Sequence, residues 1–536
     1  MKINLTTLIL ACFVFNFTFA QDWKSYPYTP EGSVVSFPQD EGHHANEPVE
    51  WWYTTGEIKG ETSGKTFTYM LTYFSYAYQG FDGFRILNIT DQSTGTFYRD
   101  TKALNYETLS TSDLNIVANV FTGSKESWTT KIDSEDNKIP FEYTISATAP
   151  ACTLNLDYKT TKRPLLLGDT GYLNQGSENY SYYYSQTGNT VSGSITFNGT
   201  TENITGTAWI DRQYGSFNPY IGEKYEWFSI QLSNGMDINA YNIFTPEFEI
   251  PDNLNYKVFS AYVDEATQYT TADFILERLE FDWTNDNVNC YSSKWRLTSE
   301  KNKVDLTITR RNNTTEVMLP FRFYEGATTI VGTVNGVEVT GHGFAELVHT
   351  YSHPELSFSE FEANVFNAAN PISWTLNNPD AGSPMYYDLL YSTDGTTFNS
   401  LVSDVSDLSY TWSAPELDNG DTAWFKVIAH SIDDVLISET ITEALTFQTL
   451  SVESSVLNDI SLFPNPVKSS LYLKLPKGVS LVNYKIIDIS GRLVSHVNVL
   501  GSETLLTINT KNLKSGFYYL LCESISTQKS FKFIKE

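Results

Sequence analysis

The sequence is poor in cysteine and in positive charge. Only four cysteines occur in 536 residues, and three of them, Cys152, Cys290 and Cys522, follow the first twenty residues. Three widely spaced cysteines without a CxxC pair predict neither a disulfide framework nor a zinc site, and they leave a Cys152–Cys290 bridge open. Lysine and arginine total 35 against 63 acidic residues, a net charge of −28. This imbalance argues against binding to nucleic acid or to anionic membranes, because both need surplus cations.

Long apolar runs are also missing after residue 20. No stretch there reaches the roughly 18 residues that a membrane-spanning helix requires, so no integral membrane segment is predicted. The first twenty residues differ, because Lys2 precedes an apolar stretch that ends at Phe19, and Ala20 offers a small-residue cleavage site. Residues 1–20 therefore predict a signal peptide and a secreted or cell-surface protein. A lipoprotein signal ending at Cys12 is disfavoured, since the apolar run continues past it.

Several motifs of catalysis and cofactor binding are absent. There is no GxSxG, no HExxH, no P-loop and no GxGxxG that opens a helix. The sequence therefore gives no support for a serine hydrolase, a zinc protease or a nucleotide-binding protein, and no cofactor is predicted. His342 and His349 flank Glu346, but alternation along a strand turns His349 away from the other two. No metal site is predicted there.

Aromatic side chains are abundant, with 33 Phe, 34 Tyr and 11 Trp. They pack well on pleated sheets. Turn signals such as Asn198-Gly199, Asn234-Gly235 and Asp394-Gly395 separate alternating apolar runs, as in β-hairpins. These features predict an all-β fold. We divide the chain after the signal peptide into one long aromatic β region that ends near residue 350, a sandwich-sized module over 356–450, and a tail over 457–536.

The tail differs in charge from the rest of the chain, with ten Lys or Arg against five Asp or Glu from Leu457 onward. It resembles the C-terminal type A sorting domain of the type IX secretion system of Bacteroidota. The resemblance rests on Phe463–Pro466, Ile487–Arg492, Leu513–Tyr518 and Lys529–Phe533 in that order. It implies handling by the type IX secretion machinery, export across the outer membrane, and then removal of the tail or anchoring at the surface. A further small β-sandwich is the alternative.

The preceding module, residues 356–450, resembles a fibronectin type III or related immunoglobulin-like sandwich. Ile372-Ser373-Trp374 would form an inner strand with a core tryptophan. We expect this module to act as a spacer. Glycan binding through Trp412 or Trp424 is the alternative, although tryptophans on strands more often pack in a core.

The long β region carries four motifs in order: Phe37–Asp40, Glu50–Tyr53, Trp209–Arg212 and Gly341–Leu347. With these motifs, about residues 35–350 resemble the carotenoid 1,2-hydratase and AttH-like family. The resemblance implies two lipocalin-like β-barrels, placed at 21–205 and 206–350, followed by the two small sandwiches. Known activities in the family include addition of water to isoprenoid double bonds, and relatives catalyse pericyclic ring closures.

Three positions depart from the family pattern. Glu41, Ile86 and Arg212 stand where members commonly carry histidine. An arginine stays protonated and cannot shuttle protons. The departures favour an alternative function, that of a non-catalytic lipocalin-like carrier of hydrophobic ligands.

Asp211 is the strongest candidate for a catalytic residue. On a strand it shares a face with Trp209, while Arg212 and Tyr214 face the other way. An acid desolvated beside tryptophan has a raised pKa, and protonation of an unactivated alkene needs such an acid. Glu50 and His44 are further catalytic candidates. The predicted substrate-binding residues are Trp52, Tyr183, Trp209, Trp227, Gln231 and Tyr241.

The sequence thus favours a secreted hydratase- or isomerase-like protein that acts on a hydrophobic, alkene-bearing small molecule. The alternatives are the carrier and a surface adhesion or glycan-binding protein in which the sandwich is the working module.

Overall fold

The computed structural model of the chain describes residues 22–78, 80–121, 123–378, 382–413, 415–449, 460–476, 481–499, 504–524 and 528–536. The predicted signal peptide lies outside these residues. The regular elements described are strands, apart from three single-turn 3₁₀ helices: η1 (Gln39–Glu41), η2 (Pro219–Ile221) and η3 (Glu362–Asn364). The predicted all-β fold is confirmed. No helix in the described ranges has the length and apolar character needed to cross a membrane.

The first part of the chain forms a closed barrel. Its strands are β1 (Val49–Gly60), β2 (Thr66–Tyr78), β3 (Phe81–Asp91), β4 (Thr96–Leu109), β5 (Asn115–Val120), β6 (Lys125–Ile132), β7 (Lys138–Ala149), β8 (Cys152–Thr160), β9 (Leu165–Leu166), β10 (Tyr172–Gln175), β11 (Asn179–Phe197) and β12 (Thr200–Gly215). Antiparallel pairing runs from β11 through β12 and then β1 to β8, and β8 pairs back to β11. Ten strands thus close the barrel. Apolar side chains, among them Trp128, Tyr143 and Leu154, fill its interior.

The second part forms an open half-barrel. Its strands are β13 (Lys224–Leu232), β14 (Asp237–Phe244), β15 (Lys257–Asp264), β16 (Thr267–Thr271), β17 (Ile275–Trp283), β18 (Cys290–Ser299), β19 (Val304–Arg310), β20 (Glu316–Val317), β21 (Phe323–Val334) and β22 (Val337–Leu347). The sheet order is β16-β15-β14-β13-β22-β21-β19-β18-β17, and β20 pairs with β21. Within the described residues no ladder joins β16 to β17, so the two edges stay apart.

The domain boundary predicted at 205/206 falls inside β12. This strand pairs with β11 from Thr200 to Gly215 and with β1 from Ile204 to Gly215, so the first sheet continues to Gly215. The change of sheet lies between Gly215 and Lys224, in the segment that contains η2. The two units therefore differ in size and in closure. The first sheet is longer and closes on itself, whereas the second sheet stays open.

Two small sandwiches follow, as predicted. The first contains β23 (Leu356–Phe358), β24 (Val365–Phe366), β25 (Ile372–Leu376), β26 (Tyr386–Ser392), β27 (Asn399–Val405), β28 (Ser409–Tyr410), β29 (Thr422–His430), β30 (Ile437–Ile441) and β31 (Leu445–Phe447). The second contains β32 (Ser461–Phe463), β33 (Ser470–Lys474), β34 (Asn483–Asp488), β35 (Leu493–Asn498), β36 (Leu505–Asn509), β37 (Gly516–Glu523) and β38 (Gln528–Lys535). Each has two sheets. Trp374 is in the core of the first, and Trp412 packs against that core beside Phe366 and Tyr391.

The three cysteines in the described part of the chain are buried free thiols. The Cys152–Cys290 bridge that the sequence left open therefore does not form. Cys152 begins β8 in the barrel, whereas Cys290 begins β18 in the half-barrel.

Candidate functional site

A cavity of about 610 Å³ lies between the barrel and the half-barrel. The barrel contributes side chains that point out of it, from β1, β2, β3, β11 and β12, and the half-barrel contributes side chains from β13, β14, β21 and β22. Most of the lining is aromatic or aliphatic: Trp51, Tyr53, Met70, Phe74, Phe84, Ile86, Tyr183, Tyr225, Trp227, Tyr241, Ile243, Phe323 and Val348. This volume and lining suit a hydrophobic small molecule. We call it the inter-sheet cavity.

Alternation along the barrel strands decides which residues reach the inter-sheet cavity. On β1, Trp51 and Tyr53 line it, while Trp52 between them belongs to the barrel core. On β12, Asp211 and Gln213 line it, whereas Arg212 contacts Trp52 on the barrel side. Both faces of these strands are largely buried. Burial alone therefore does not distinguish the residues that line the cavity from those that face the barrel interior.

Asp211 is the buried acid of the cavity wall, with 2% of its surface exposed. Its carboxylate accepts hydrogen bonds from Ser185 Oγ (2.5 Å), Trp209 Nε1 (2.6 Å) and Tyr183 Oη. Burial raises the pKa of Asp211 to about 7, although all three hydrogen bonds act to lower it. A carboxyl with this pKa exchanges its proton readily at neutral pH, as a general acid must.

Tyr183 links Asp211 to the half-barrel. Its hydroxyl donates to Asp211 and accepts from Asn239 Nδ2 (2.7 Å) and Trp227 Nε1 (3.0 Å). Asn239 Nδ2 also reaches Ser185 Oγ at 3.2 Å. Burial, and then the charge of Asp211, raise the pKa of Tyr183 well above its usual value. The phenol therefore stays protonated and holds the carboxylate in place.

A second acidic group lies on the half-barrel side. Glu325 on β21 pairs in register with Glu346 on β22, and Glu346 lines the cavity. Tyr53 Oη donates to Glu325 Oε1 (2.9 Å), and Tyr225 Oη donates to Glu346. Burial and then repulsion from Glu346 raise the pKa of Glu325 well above 4.5, and burial also raises the pKa of Glu346. Repulsion between the two carboxyls favours a proton on at least one of them. We call them the glutamate pair.

In the part of the chain that the structure describes, Asp211 and the glutamate pair have no cationic partner, although Lys224 lies elsewhere on the cavity lining. Among the described residues no lysine, arginine or histidine forms an ion pair with Asp211 or the glutamate pair. Without a cationic partner, a buried carboxyl keeps its proton to a higher pH than an exposed one. The cavity wall therefore carries carboxyls that can donate a proton near neutral pH.

The structure brings together five of the nine predicted site residues. Tyr183, Trp227, Tyr241 and Asp211 line the inter-sheet cavity, and Trp209 lies behind it and holds Asp211. Gln231 shares a face of β13 with Trp227, but it lies four residues further along, roughly 13 Å away. Its amide donates instead to Thr187 O (2.6 Å).

The other three predicted residues lie on the barrel side of β1, away from Asp211. Trp52 Nε1 donates to Glu41 O (3.0 Å), and the Arg212 guanidinium stacks 4.1 Å from the Trp52 ring centre. His44 Nδ1 lies 2.8 Å from Glu50 Oε1. The structure does not bring Glu50, His44 and Trp52 together with Asp211, because the even-numbered residues of β1 point into the barrel and His44 bonds to Glu50 on that side.

Glu50 is the centre of this group, which we call the barrel-end cluster: Glu41, His43, His44, Glu50 and Arg212. The buried Glu50 carboxylate is paired with Arg212 and lies 2.5 Å from His43 Nδ1. Burial alone would raise its pKa, but the Arg212 charge and the histidine hydrogen bonds lower it far below 4.5. Glu50 therefore stays ionised and cannot donate a proton at neutral pH.

The glutamate pair and its tyrosine partners, Tyr53 and Tyr225, carry no motif that the sequence alone reveals. The sequence offers Glu346 only as a metal ligand beside His342 and His349. In the structure His342 contacts Thr207 Oγ1 (3.2 Å) and His349 stacks on Phe244 at 3.7 Å, so the described residues do not bring the two imidazoles together with Glu346. One feature of the sequence does point to Glu346: it is a single acid within an otherwise apolar strand, Gly343-Phe344-Ala345-Glu346-Leu347.

Comparisons with known proteins agree with this architecture. A family model described as AttH-like matches residues 28–351, and one described as a secretion system C-terminal sorting domain matches residues 461–536. The sorting domain marks the chain for export to the cell surface or for secretion. No curated protein sequence matches the chain.

Solved structures resemble the two barrel units. A provisionally assigned AttH from Nitrosomonas europaea is 23% identical, with a TM-score of 0.50, over 60% of this chain and 98% of that one. Kievitone hydratase from Nectria haematococca is 16% identical, with a TM-score of 0.47, over 61% of this chain and 98% of that one. The first likeness supports the fold.

Proposed function

Because the chain belongs to the AttH-like family, and its tail marks it for export, we propose that it is an exported hydratase- or isomerase-like enzyme. Its substrate would be a hydrophobic, alkene-bearing small molecule bound in the inter-sheet cavity. The observation that carries the proposal is Asp211, a buried carboxyl with a pKa of about 7 in an aromatic cavity wall. Hydration of an unactivated alkene begins with a proton transfer from such an acid.

The reaction balances with the residues present. Asp211 gives its proton to one alkene carbon, its O–H bond breaks, and a C–H bond forms from the π electron pair. The other carbon becomes cationic and is attacked by water. The surplus proton of that water passes to a carboxylate, either ionised Asp211 or the ionised member of the glutamate pair. If a neighbouring C–H bond loses its proton instead, the product is an isomer.

The cavity wall suits a carbocation. The rings of Tyr53 and Trp227 meet edge to face across it at 5.6 Å, and Phe74 stacks on Phe84 at 4.4 Å. A desolvated aromatic face stabilises a cation by about 2 kcal/mol. The three donors to Asp211 stabilise the carboxylate that remains after proton transfer.

The second candidate function is that of a non-catalytic carrier of hydrophobic ligands. The apolar lining of the inter-sheet cavity favours this function as well. A carrier has no use for two buried acids, Asp211 and Glu325, with a third, the half-buried Glu346, beside them, however. Buried carboxyls cost folding free energy, and apolar residues would hold the same ligand without this cost. The enzyme accounts for both the lining and the acids.

The experiment is turnover in ¹⁸O-labelled water. Protein lacking the signal peptide is incubated with a mixed isoprenoid and lipid extract, and products are followed by untargeted mass spectrometry. We expect ¹⁸O in an organic product for a hydratase, or a change of retention time without a change of mass for an isomerase. Asp211→Asn should reduce either product at least about a hundredfold, because general acid catalysis contributes that much.

The matched control is Glu41→Gln. Glu41 is also buried, also accepts tyrosine hydroxyls (Tyr143 at 2.5 Å and Tyr26 at 3.0 Å), and also has its pKa raised by burial to about 7. It lies in the barrel-end cluster and should leave turnover intact. Apolar molecules that co-purify with both variants, without any product from the wild type, would establish the carrier instead.

A further inference from the structure

Three strands of the first sandwich bring metal-ligating side chains together. Strands β27, β26 and β29 are neighbours in one sheet, and β27 is its edge. Asp404 on β27 lies beside Asp388 on β26 and His430 on β29. The ligand atoms of the three side chains all lie within 4.8 Å of one another. His430 Nε2 is 3.6 Å from Asp404 Oδ1 and 3.9 Å from Asp388 Oδ1.

The hydrogen bonds of His430 leave its Nε2 facing these carboxylates. Its Nδ1 lies 2.8 Å from Asp434 Oδ1 and 3.0 Å from Ser431 O, which are both acceptors, so Nδ1 carries a hydrogen. Nε2 is enclosed and has no hydrogen-bond partner, and the His430 side chain is only 12% exposed. In neutral imidazole Nε2 therefore presents a lone pair to two carboxylate oxygens.

We propose that Asp388, Asp404 and His430 bind a divalent transition-metal ion. One imidazole and two carboxylates form a ligand set suited to Zn²⁺, whereas Ca²⁺ and Mg²⁺ prefer oxygen ligands alone. Zinc bonds of about 2.0–2.2 Å place two tetrahedral ligand atoms roughly 3.3 Å apart. The two observed separations from His430 Nε2 need a closure of a few tenths of an ångström, which the exposed Asp404 and the half-buried Asp388 side chains can each make.

Two further contacts prepare the site. The backbone N–H of Asp404 donates to Asp388 Oδ1 at 2.9 Å, which holds the two acids side by side. Asp434 holds the imidazole ring from behind, the arrangement that commonly orients histidine ligands and strengthens them. A bound ion would tie the edge strand β27 to β26 and β29, and so protect an exposed sheet edge.

The test is zinc binding by the full chain without its signal peptide. Bound zinc is measured after equilibrium dialysis at neutral pH, and thermal unfolding is followed with and without added Zn²⁺. We expect the wild type to bind one more zinc ion per chain than Asp404→Asn, and to show a zinc-dependent rise in unfolding temperature that the variant lacks. Asp404 is exposed, so its substitution should not prevent folding.

The control variant is Asp407→Asn, an exposed aspartate of the same module outside the ligand cluster. It should bind zinc like the wild type. His430→Gln removes the nitrogen ligand and should abolish the same single ion, which X-ray absorption would show to have one imidazole ligand in the wild type. Equal zinc content in the wild type and Asp404→Asn, or an absorption spectrum without imidazole, would overturn the proposal.

Discussion

Asp211→Asn is expected to be more stable than the wild type above neutral pH, although it is expected to be inactive. The pKa of Asp211 is about 3.8 in the unfolded chain and about 7 in the folded protein. A carboxyl with a raised pKa contributes stability that is fully present below pH 3.8 and is lost as the pH rises through 7. The wild type therefore loses about 1.4 kcal/mol per pH unit, about 4 kcal/mol in all, and asparagine does not.

The measurement is urea unfolding, followed by tryptophan fluorescence between pH 4 and pH 8. The free energy of unfolding of Asp211→Asn, relative to the wild type, should increase by about 4 kcal/mol across this range. Comparing pH values cancels the part of the substitution's cost that does not depend on pH. Glu41→Gln should show the same trend, because burial also raises the pKa of Glu41 to about 7. A difference that does not change with pH would show that Asp211 is ionised in the folded protein.

Comparing Asp211→Asn with Glu41→Gln separates the effect of a buried acid on stability from its effect on turnover. Asp211 and Glu41 respond alike to pH, but only Asp211 lines the inter-sheet cavity. The expected combination, a stability gain in both variants and a loss of turnover only in Asp211→Asn, would locate the reaction on the cavity side of β12.

The side-chain alternation of single strands could be predicted from the sequence. It placed Asp211 with Trp209 and opposite Arg212, and the structure shows the same arrangement. Alternation does not relate one strand to the next, however. Grouping Glu50 with Asp211 required the register of β1 on β12, where Tyr53, and not Glu50, lies opposite Asp211.

The glutamate pair could not be found in the same way, because its environment comes from distant parts of the chain. Tyr53 and Glu325 are 272 residues apart, and they meet only when the barrel packs on the half-barrel. The half-barrel side of the cavity depends on this packing. A local pattern can mark Glu346 as unusual, but it cannot show that a second acid and two tyrosines surround it.

The three positions that lack the histidines of the family pattern lie in different parts of the structure. Glu41 and Arg212, which replace two of them, lie in the barrel-end cluster and face away from Asp211. Ile86 replaces the third and lines the inter-sheet cavity. Two of the three departures therefore leave the cavity acids untouched, so they weigh less against catalysis than the sequence suggests.

The barrel-end cluster yields the second prediction, that Glu50→Ala destabilises the protein by about 3–5 kcal/mol at pH 7. The variant leaves the Arg212 guanidinium buried without its counter-charge, although the guanidinium keeps hydrogen bonds to Gln213 O (3.0 Å) and Trp51 O (3.2 Å). The folded state lowers the pKa of Glu50, so its contribution is present above pH 4.5 and is lost as the pH falls. The cost of the substitution should therefore shrink in acid.

Urea unfolding at pH 7 and well below pH 4.5 measures this cost, and Asp305→Ala is the matched control. Asp305 is likewise paired with an arginine and accepts hydrogen bonds from Arg296 at 2.9 and 3.0 Å, but both side chains are about half exposed. Solvent screens such a pair, so its loss should matter far less. Where Glu50→Ala remains folded, it should retain turnover in labelled water, because Glu50 holds Arg212 and does not reach the inter-sheet cavity. Loss of turnover at unchanged stability would instead make Glu50 part of the reaction, and the proton path would then have to cross β1.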